Sequence, residues 1–373
     1  MHEASPGAIA PTMDPFGIPQ APPPPPKVRY RMQFTGQAGE YFRIWIVNLA
    51  LSIVTLGIYS AWAKVRTQRY FHSNFRLADS SFEYLAQPMQ ILKGRLIAYT
   101  VIIALWASAH FQVLIVYFPL LLLVLLLLPW VIYRTLRFRA RYSAWRGLRF
   151  RFFGSAGDAY SSYFFRPLVM PFTLYLTYPW VRMRQHEYMV AGHRFGGRRF
   201  QFAESTDGYF GPFFAMVGIG FLAYIAFGIA MALVFASMPH PAYGEPRPHI
   251  SPTAMFLPML VLYGGILACK AFLGARYHNV MWEHTRLGAH RFECTLSAGT
   301  MIWLYFSNIV AIVFTLGMAI PWAMVRIARY RAEQFTVVAL GSLDNFVAES
   351  EQAEGAAGAE LLGALDMDMD IGL

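Results

Sequence analysis

Two long apolar blocks dominate the pattern of hydrophobic and polar positions. Leu96 to Tyr133 has His110 as its only ionisable residue. About 20 residues cross a bilayer, so this block predicts two helices with a tight turn near Ser108 to Gln112. Tyr209 to Met238 and Ile250 to Cys269 predict a second pair. Their connector, PHPAYGEPRPH, carries one Arg and no Lys, whereas Lys93, Arg95, Arg134, Arg137, Arg139, Arg198, Arg199, Lys270 and Arg276 flank the pairs. The positive-inside rule therefore predicts that both pairs begin and end in the cytoplasm.

Shorter apolar runs lie before, between and after these pairs, and they repeat. Glu40 to Tyr70 returns as Thr300 to Tyr330 at a constant offset of 260 residues, and Thr177 to Tyr188 is a weaker third copy that keeps Trp180, Arg184 and Tyr188. The shared positions are Asn48, Thr55, Gly57, Trp62, Arg66, Arg69 and Tyr70, matched by Asn308, Thr315, Gly317, Trp322, Arg326, Arg329 and Tyr330. Each run is about one span long with basic residues on both flanks. Two topologies satisfy this: a re-entrant helix turning at Thr55-Leu56-Gly57, which requires protein around the broken backbone, or a full span giving seven helices. Tyr41, Asn48, Thr55, Trp62 and Arg69 are seven apart, so an unbroken helix would carry them on one stripe. Asn and Thr at such depths read as interhelical hydrogen-bonding positions worth ~0.6 kcal/mol each, and the motif as structural. Trp and Arg at its end read as interfacial anchors.

Between the apolar runs, aromatic and charged residues alternate with the period of a strand. The stretches begin at Arg29, Arg149, Arg199 and Arg291, and His193 to Phe195 reaches Arg198 through Gly196-Gly197, a hairpin signal. Short β-hairpins on the cytoplasmic face are expected, with Phe200 and Phe202 turned toward membrane or helices and Glu40 or Asp158 at a helix start. The fold class that follows is an all-α polytopic membrane protein with internal repeats, near residues 29–95, 149–205 and 291–347, and short cytoplasmic hairpins between membrane segments. Residues 1–28, of which the first 26 end on Pro22 to Pro26, read as a disordered tail without a signal peptide, and 348–373 as an acidic disordered tail.

Composition agrees: 56% of residues are hydrophobic, 14% charged, and the mean hydropathy is +0.39, too apolar for a soluble chain. Net charge is +10; the acidic tail contributes −7 and the first 26 residues −2, leaving +19 for residues 27–347. Basic clusters beside a membrane attract anionic headgroups at ~1 kcal/mol per residue. Arg149, Arg151, Arg198, Arg199 and Arg291 are the candidate contacts with anionic lipid.

The TLGIYxxWAKVRxxRY stretch, followed by Asn74-Phe75-Arg76-Leu77 and Phe82-Glu83-Tyr84, resembles the YjgN-like family of bacterial inner-membrane proteins. The resemblance covers about residues 29 to 347 and implies multi-pass placement in the inner membrane. It supplies no catalytic residues. Position 61 is Ala where Pro179 and Pro321 stand in the other copies.

Chemistry is sparse. His278, His284 and His290 with Glu283 lie six apart and match no compact zinc motif. No phosphate loop, HExxH or nucleophile elbow occurs, and Cys269 and Cys294 have no paired spacing. The expectation is a non-enzymatic protein without cofactor or metal. It would bind membrane lipid, anionic in particular, or an envelope protein partner, and no nucleic acid. A transporter or channel is the alternative, since transporters are often built from repeats, with Arg166 as the candidate intramembrane charge.

Overall fold

The computed structural model describes residues 26–203, 205–238, 251 and 253–352. The outer connector with His240 and His249, most of the Pro-rich head and most of the acidic tail lie outside the described residues.

Among the described residues the elements fall into five strand–helix–helix–strand units. The first runs β2 (Gln33–Phe34), α1 (Ala38–Val54), α2 (Ser60–Asn74), β3 (Phe75–Leu77). The second runs β4 (Ser80–Tyr84), α3 (Pro88–His110), α4 (Leu114–Arg141), β5 (Ser143–Trp145). The third is β6 (Leu148–Phe152), α5 (Ala156–Tyr160), a wound stretch to Thr173, α6 (Tyr178–Gly192), β7 (His193–Phe195). The fourth is β8 (Arg198–Phe202), α7 (Asp207–Ala236), α8 (Phe256–Glu283), β9 (Thr285–Leu287), and the fifth β10 (His290–Cys294), α9 (Ala298–Phe314), α10 (Ile320–Glu333), β11 (Phe335–Leu340). The first strand, β1 (Lys27–Arg31), precedes the units and begins inside the stretch expected to be a tail.

The strands form a single antiparallel sheet in the order β1-β11-β10-β9-β8-β7-β6-β5-β4-β3-β2. Only Met32 separates β1 from β2; β1 pairs with β11, β2 pairs with β3, and Met32 N–H donates to the Phe335 carbonyl at 2.9 Å. One stretch of chain thus serves both edges and closes the sheet. This corrects the all-α expectation with isolated hairpins. The hairpins pair edge to edge because an open edge leaves a row of unpaired main-chain groups, and closure removes it. Alternation then turns Leu148, Phe195, Phe200, Leu287, Phe292 and Val337 into the barrel, where they form the largest buried cluster. Phe200 faces this interior rather than membrane or helices.

Each helical pair leaves the barrel and returns to it. In the first and fifth units the outgoing helix stops at Thr55 and Thr315, where Leu56 and Leu316 (φ 49°) and Gly57 and Gly317 (φ 90° and 93°) reverse the chain. The Thr hydroxyl bridges the break: Thr55 Oγ1 donates to Leu51 O at 2.7 Å and accepts from Tyr59 N at 2.9 Å, and Thr315 does the same with Ala311 and Ala319. The seven-residue stripe is therefore folded at its middle, and Thr is a turn latch rather than a contact between helices. Leu174 and Tyr175 (φ 49° and 63°) make the corresponding turn of the third unit, and Gln112 (φ 54°) that of the second.

Neighbouring units pack side by side all the way round, α2 on α3, α4 on α5, α6 on α7, α8 on α9 and α10 on α1. Small or rigid residues fill one equivalent place in each returning helix, Ala61, Pro179 and Pro321 at its start and Pro129 and Ala271 midway along the longer α4 and α8, all fully buried. Residues 343–352 are helical. They lie over the hairpin end of the barrel, where Phe346 stacks on Phe195, its ring meets His290 at 4.3 Å, and Gly197 N–H donates to Ser350 O at 3.4 Å.

Candidate functional site: basic grooves where helices meet the barrel

The repeat residues hold the units together. Arg66 and Arg326 sit inside the returning helices and donate to Asn48 Oδ1 (3.4 Å) and Asn308 Oδ1 (3.1 Å) on the outgoing ones. They tie the two helices of a hairpin together. In both, the Asn Nδ2 is buried without an acceptor among the described residues. Arg326 also stacks on Trp322 at 5.0 Å, while Trp62 lies 6.1 Å from Tyr59. Tyr70 Oη accepts from Gln37 N–H and donates to its carbonyl, both at 2.9 Å, and Tyr330 accepts from Ser297 N–H at 2.8 Å. These contacts fix the strand-to-helix junctions, and Tyr188 does so in the third unit through Ser155 O at 2.9 Å. Arg69 reaches the next unit at Ala86 O (3.4 Å), and Arg329 reaches the first at Gly36 O (3.1 Å).

The expected lipid contacts separate into two groups. Arg149 and Arg151 point outward from β6 into a groove of about 510 Å³, where Arg137 and Arg141 of α4 join them around Tyr133. Arg137 donates to Tyr133 Oη at 3.0 Å. Phe153 and Gly154 form the wall between it and a second groove of about 310 Å³, which Arg199 lines with Arg166, Arg184, Arg194, Asp158 and Glu187. There Arg184 pairs with Glu187 at 2.8 Å, Arg166 donates to Ser162 Oγ at 3.1 Å, and Arg194 lies 4.3 Å from the Phe153 ring. Arg198 instead pairs with Glu349 at 3.1 Å, on the helix that covers the barrel, and Arg291, exposed and opposite Arg286 in register, lines neither groove. Arg137 was visible in the sequence only as flanking charge and Arg141 was not singled out; the signal that marks them is the spacing of four along a helix end that leads into the β5–β6 hairpin.

Two further cavities lie within the assembly. The barrel encloses about 300 Å³ of almost wholly apolar space, with His278 and Arg331 at its helix side and Leu343 and Phe346 at the other. A chamber of about 450 Å³ lies among α6, α7 and α8, lined by Tyr178, Arg182, His186, Lys270, Gly274 and His278 among others. Lys270, expected to flank a span, stands midway along α8. The three histidines of the expected cluster take separate partners: His278 Nε2 accepts from Trp282 Nε1 (3.1 Å), His284 Nδ1 meets Val280 O (2.8 Å), and His290 Nδ1 accepts from Leu340 N–H (3.3 Å). Among the described residues no group of three or more His, Cys, Asp or Glu side chains could hold a metal ion. Burial pushes the imidazoles of His193 and His290, both on strands, below their ordinary range and the Cys294 thiol above its own.

Four helices, α3, α4, α7 and α8, are long and apolar enough to cross a membrane, and little of their surface is covered by the rest of the chain. The protein is a polytopic membrane protein. The family described as "Bacterial protein of unknown function (DUF898)" matches residues 29–364, and the chain belongs to that family. Among its relatives are the inner membrane protein YjgN of Salmonella typhimurium, 31% identical over 150 residues, and that of Escherichia coli K12, 31% identical over 137 residues. The first match covers 39% of this chain and 37% of the relative, and the second 37% and 34%, so the chain aligns with just over a third of their length. With these relatives and these helices it is an inner-membrane protein. No solved structure matches it significantly.

Proposed function

We propose that the protein is a non-enzymatic inner-membrane protein that holds anionic lipid headgroups in the arginine grooves between α4, β6 and α6, with the barrel on the cytoplasmic side. The observation that carries this reading is the convergence of Arg137, Arg141, Arg149 and Arg151 on one groove. Four guanidinium groups supply planar pairs of donors suited to phosphate oxygens, and α4 delivers two of them where it leaves its apolar stretch. Phe153, 57% exposed between the grooves, gives an acyl chain an apolar shoulder. The same basic surface could instead receive an acidic envelope protein. The test is lipid retained by the purified protein, measured by mass spectrometry. Arg149→Gln with Arg151→Gln should reduce bound phosphatidylglycerol and cardiolipin with insertion unchanged, and added salt should mimic the change because exposed charges are screened over ~8 Å. Equal lipid content in wild type and variant would refute the reading, and a stoichiometric protein partner lost in the variant would replace it.

A transport reading has one observation in its favour, the position of Lys270 midway along an apolar helix, since ionisable residues inside membrane segments mark pathways. Solute flux in vesicles that is abolished by Lys270→Gln would support it.

A further inference from the structure

Arg182 of α6 is a partly buried charge with no carboxylate partner among the described residues. Its Nη1 donates to Gln185 Oε1 at 2.8 Å, but its Nε is buried with no hydrogen-bond partner. The chamber it lines also contains Lys270, His186 and His278, and no Asp or Glu among the described residues. Tyr178, Arg182 and His186 step by four along α6, and Lys270, Gly274 and His278 step by four along α8, so two helix faces present donors to one space. A buried charge without a partner is costly, and such groups are normally paired. Here the described residues supply only the neutral Gln185 side chain, which points to an anion from outside.

The chamber has an apolar continuation. His278 lines both it and the barrel cavity, whose remaining walls are chiefly aromatic and aliphatic. Trp282 Nε1 donates to His278 Nε2, which leaves the Nδ1 of the neutral ring to carry its proton as a donor. An empty apolar space of about 300 Å³ is at the lower end of the range for small-molecule sites. Apolar cavities of this kind stay dry and accept apolar groups.

We propose that chamber and barrel cavity form one internal site for a single-chain amphiphilic anion. Its oxyanion head sits among Arg182, Lys270 and His278, and its apolar chain enters the barrel toward Leu287 and Phe292. This site is separate from the outer grooves, so it stands or falls independently of the headgroup proposal. It gives the closed barrel a ligand that the outer surface could not hold.

The experiment is equilibrium binding of radiolabelled dodecanoate to the purified full chain in maltoside detergent, with dodecanol and inorganic phosphate as competitors. The expected result is binding of about one dodecanoate per chain, weakened about tenfold or more by Arg182→Gln. Lys270→Gln, at an exposed position that does not endanger folding, should weaken it several-fold. Arg149→Gln with Arg151→Gln should leave it unchanged, and Leu287→Trp, which fills the barrel cavity, should abolish it. Equal competition by dodecanol would overturn the anionic head. Phosphate binding as tightly as dodecanoate would overturn the apolar chain and leave a simple anion site. Dodecanoate binding that ignores both Arg182→Gln and Lys270→Gln would overturn the site itself.

Discussion

Arg329 donates to the carbonyl of Gly36 at 3.1 Å, across 293 residues of sequence. The bond joins the last helical pair to the first, as Arg69 joins the first to the second at Ala86 and Asn279 joins the fourth to the fifth through both main-chain groups of Leu296. In the first, fourth and fifth units one equivalent position therefore carries the tie to the neighbour, whereas in the second Arg137 donates to Tyr133 of its own helix. In the third unit Glu187 stands there and turns to Arg184 instead.

Removing the closing tie should loosen the ring of units without dismantling any of them. A hydrogen bond to a charged donor contributes about 1.5–3 kcal/mol, less where water competes. Arg329→Ala should lower the unfolding midpoint in detergent, with Arg43→Ala, on α1 and outside these ties, as the control. Equal midpoints for Arg329→Ala and the control would show that the bond is incidental.

Asn308 offers a second handle. Its replacement by Leu leaves Arg326 with Ser307 Oγ, at 2.7 Å, as its one hydrogen-bond acceptor among the described residues, beside the Trp322 ring. The expected loss is about 1–3 kcal/mol, and Asn48→Leu should behave alike through Arg66. Reversing the charge with Arg326→Glu should cut folded yield further. Unaltered yield and thermal stability in all three variants would rule out a structural role for the pair.

Position 61 discriminates shape from chemistry. Ala61 is 0% exposed at the place where Pro179 and Pro321 occupy the other hairpins, two residues into the helix, where the missing N–H is tolerated. Ala61→Pro should keep or slightly raise stability, by up to about 1 kcal/mol. Ala61→Leu should cost about 1–3 kcal/mol through overpacking. A comparison of midpoints suffices, and a larger loss for Pro than for Leu would contradict the equivalence of the five hairpins.

The motif positions and the hairpin turns could be read locally, because a turn at Leu56-Gly57 or Gly196-Gly197 needs only neighbouring residues. The closed barrel could not. Its decisive pairings, such as Val28 with Ala339 and Phe82 with Trp145, join residues that have no sequence signal for one another. The second unit hides its copy of the motif beneath a leucine-rich run, although Pro129, Trp130, Arg134 and Arg137 keep the spacing of Pro321, Trp322, Arg326 and Arg329. Arg134 even stacks on Trp130 at 5.4 Å, as Arg326 does on Trp322. In the candidate site, alternation was enough to turn Arg149 and Arg151 outward together. It could not show that Arg198, at the end of its strand, meets Glu349.

Acid should release the helix over the barrel end. His290 lies under Phe346, and burial holds its imidazole below the ordinary range; Glu349 acts weakly in the opposite direction and Arg198 in the same one. The docked state thus disfavours the protonated ring. Its stabilisation is complete above the free-histidine value of about 6.5 and is lost as pH falls from there toward the depressed value. Hydrogen exchange of residues 343–352, corrected for intrinsic rates, should quicken between pH 7.5 and 5.5 in the wild type and less so in His290→Gln. Identical pH responses in both proteins would exclude His290 as the cause.

The central claim is that every helical pair starts and ends on one barrel, so that both ends of the described chain lie on one side of the membrane. The most direct measurement places single cysteines at Arg31 in β1 and Thr336 in β11, which are paired in register, with Cys269 and Cys294 replaced by Ser. A membrane-impermeant thiol reagent is then applied to spheroplasts and to everted vesicles. The structure requires both sites to react from one and the same side, the cytoplasmic one under the proposed function, and a reporter at Leu56, 93% exposed at a hairpin tip, never to match them in water accessibility. Labelling of Arg31 and Thr336 sites from opposite sides would contradict the closed barrel and restore the seven-span alternative.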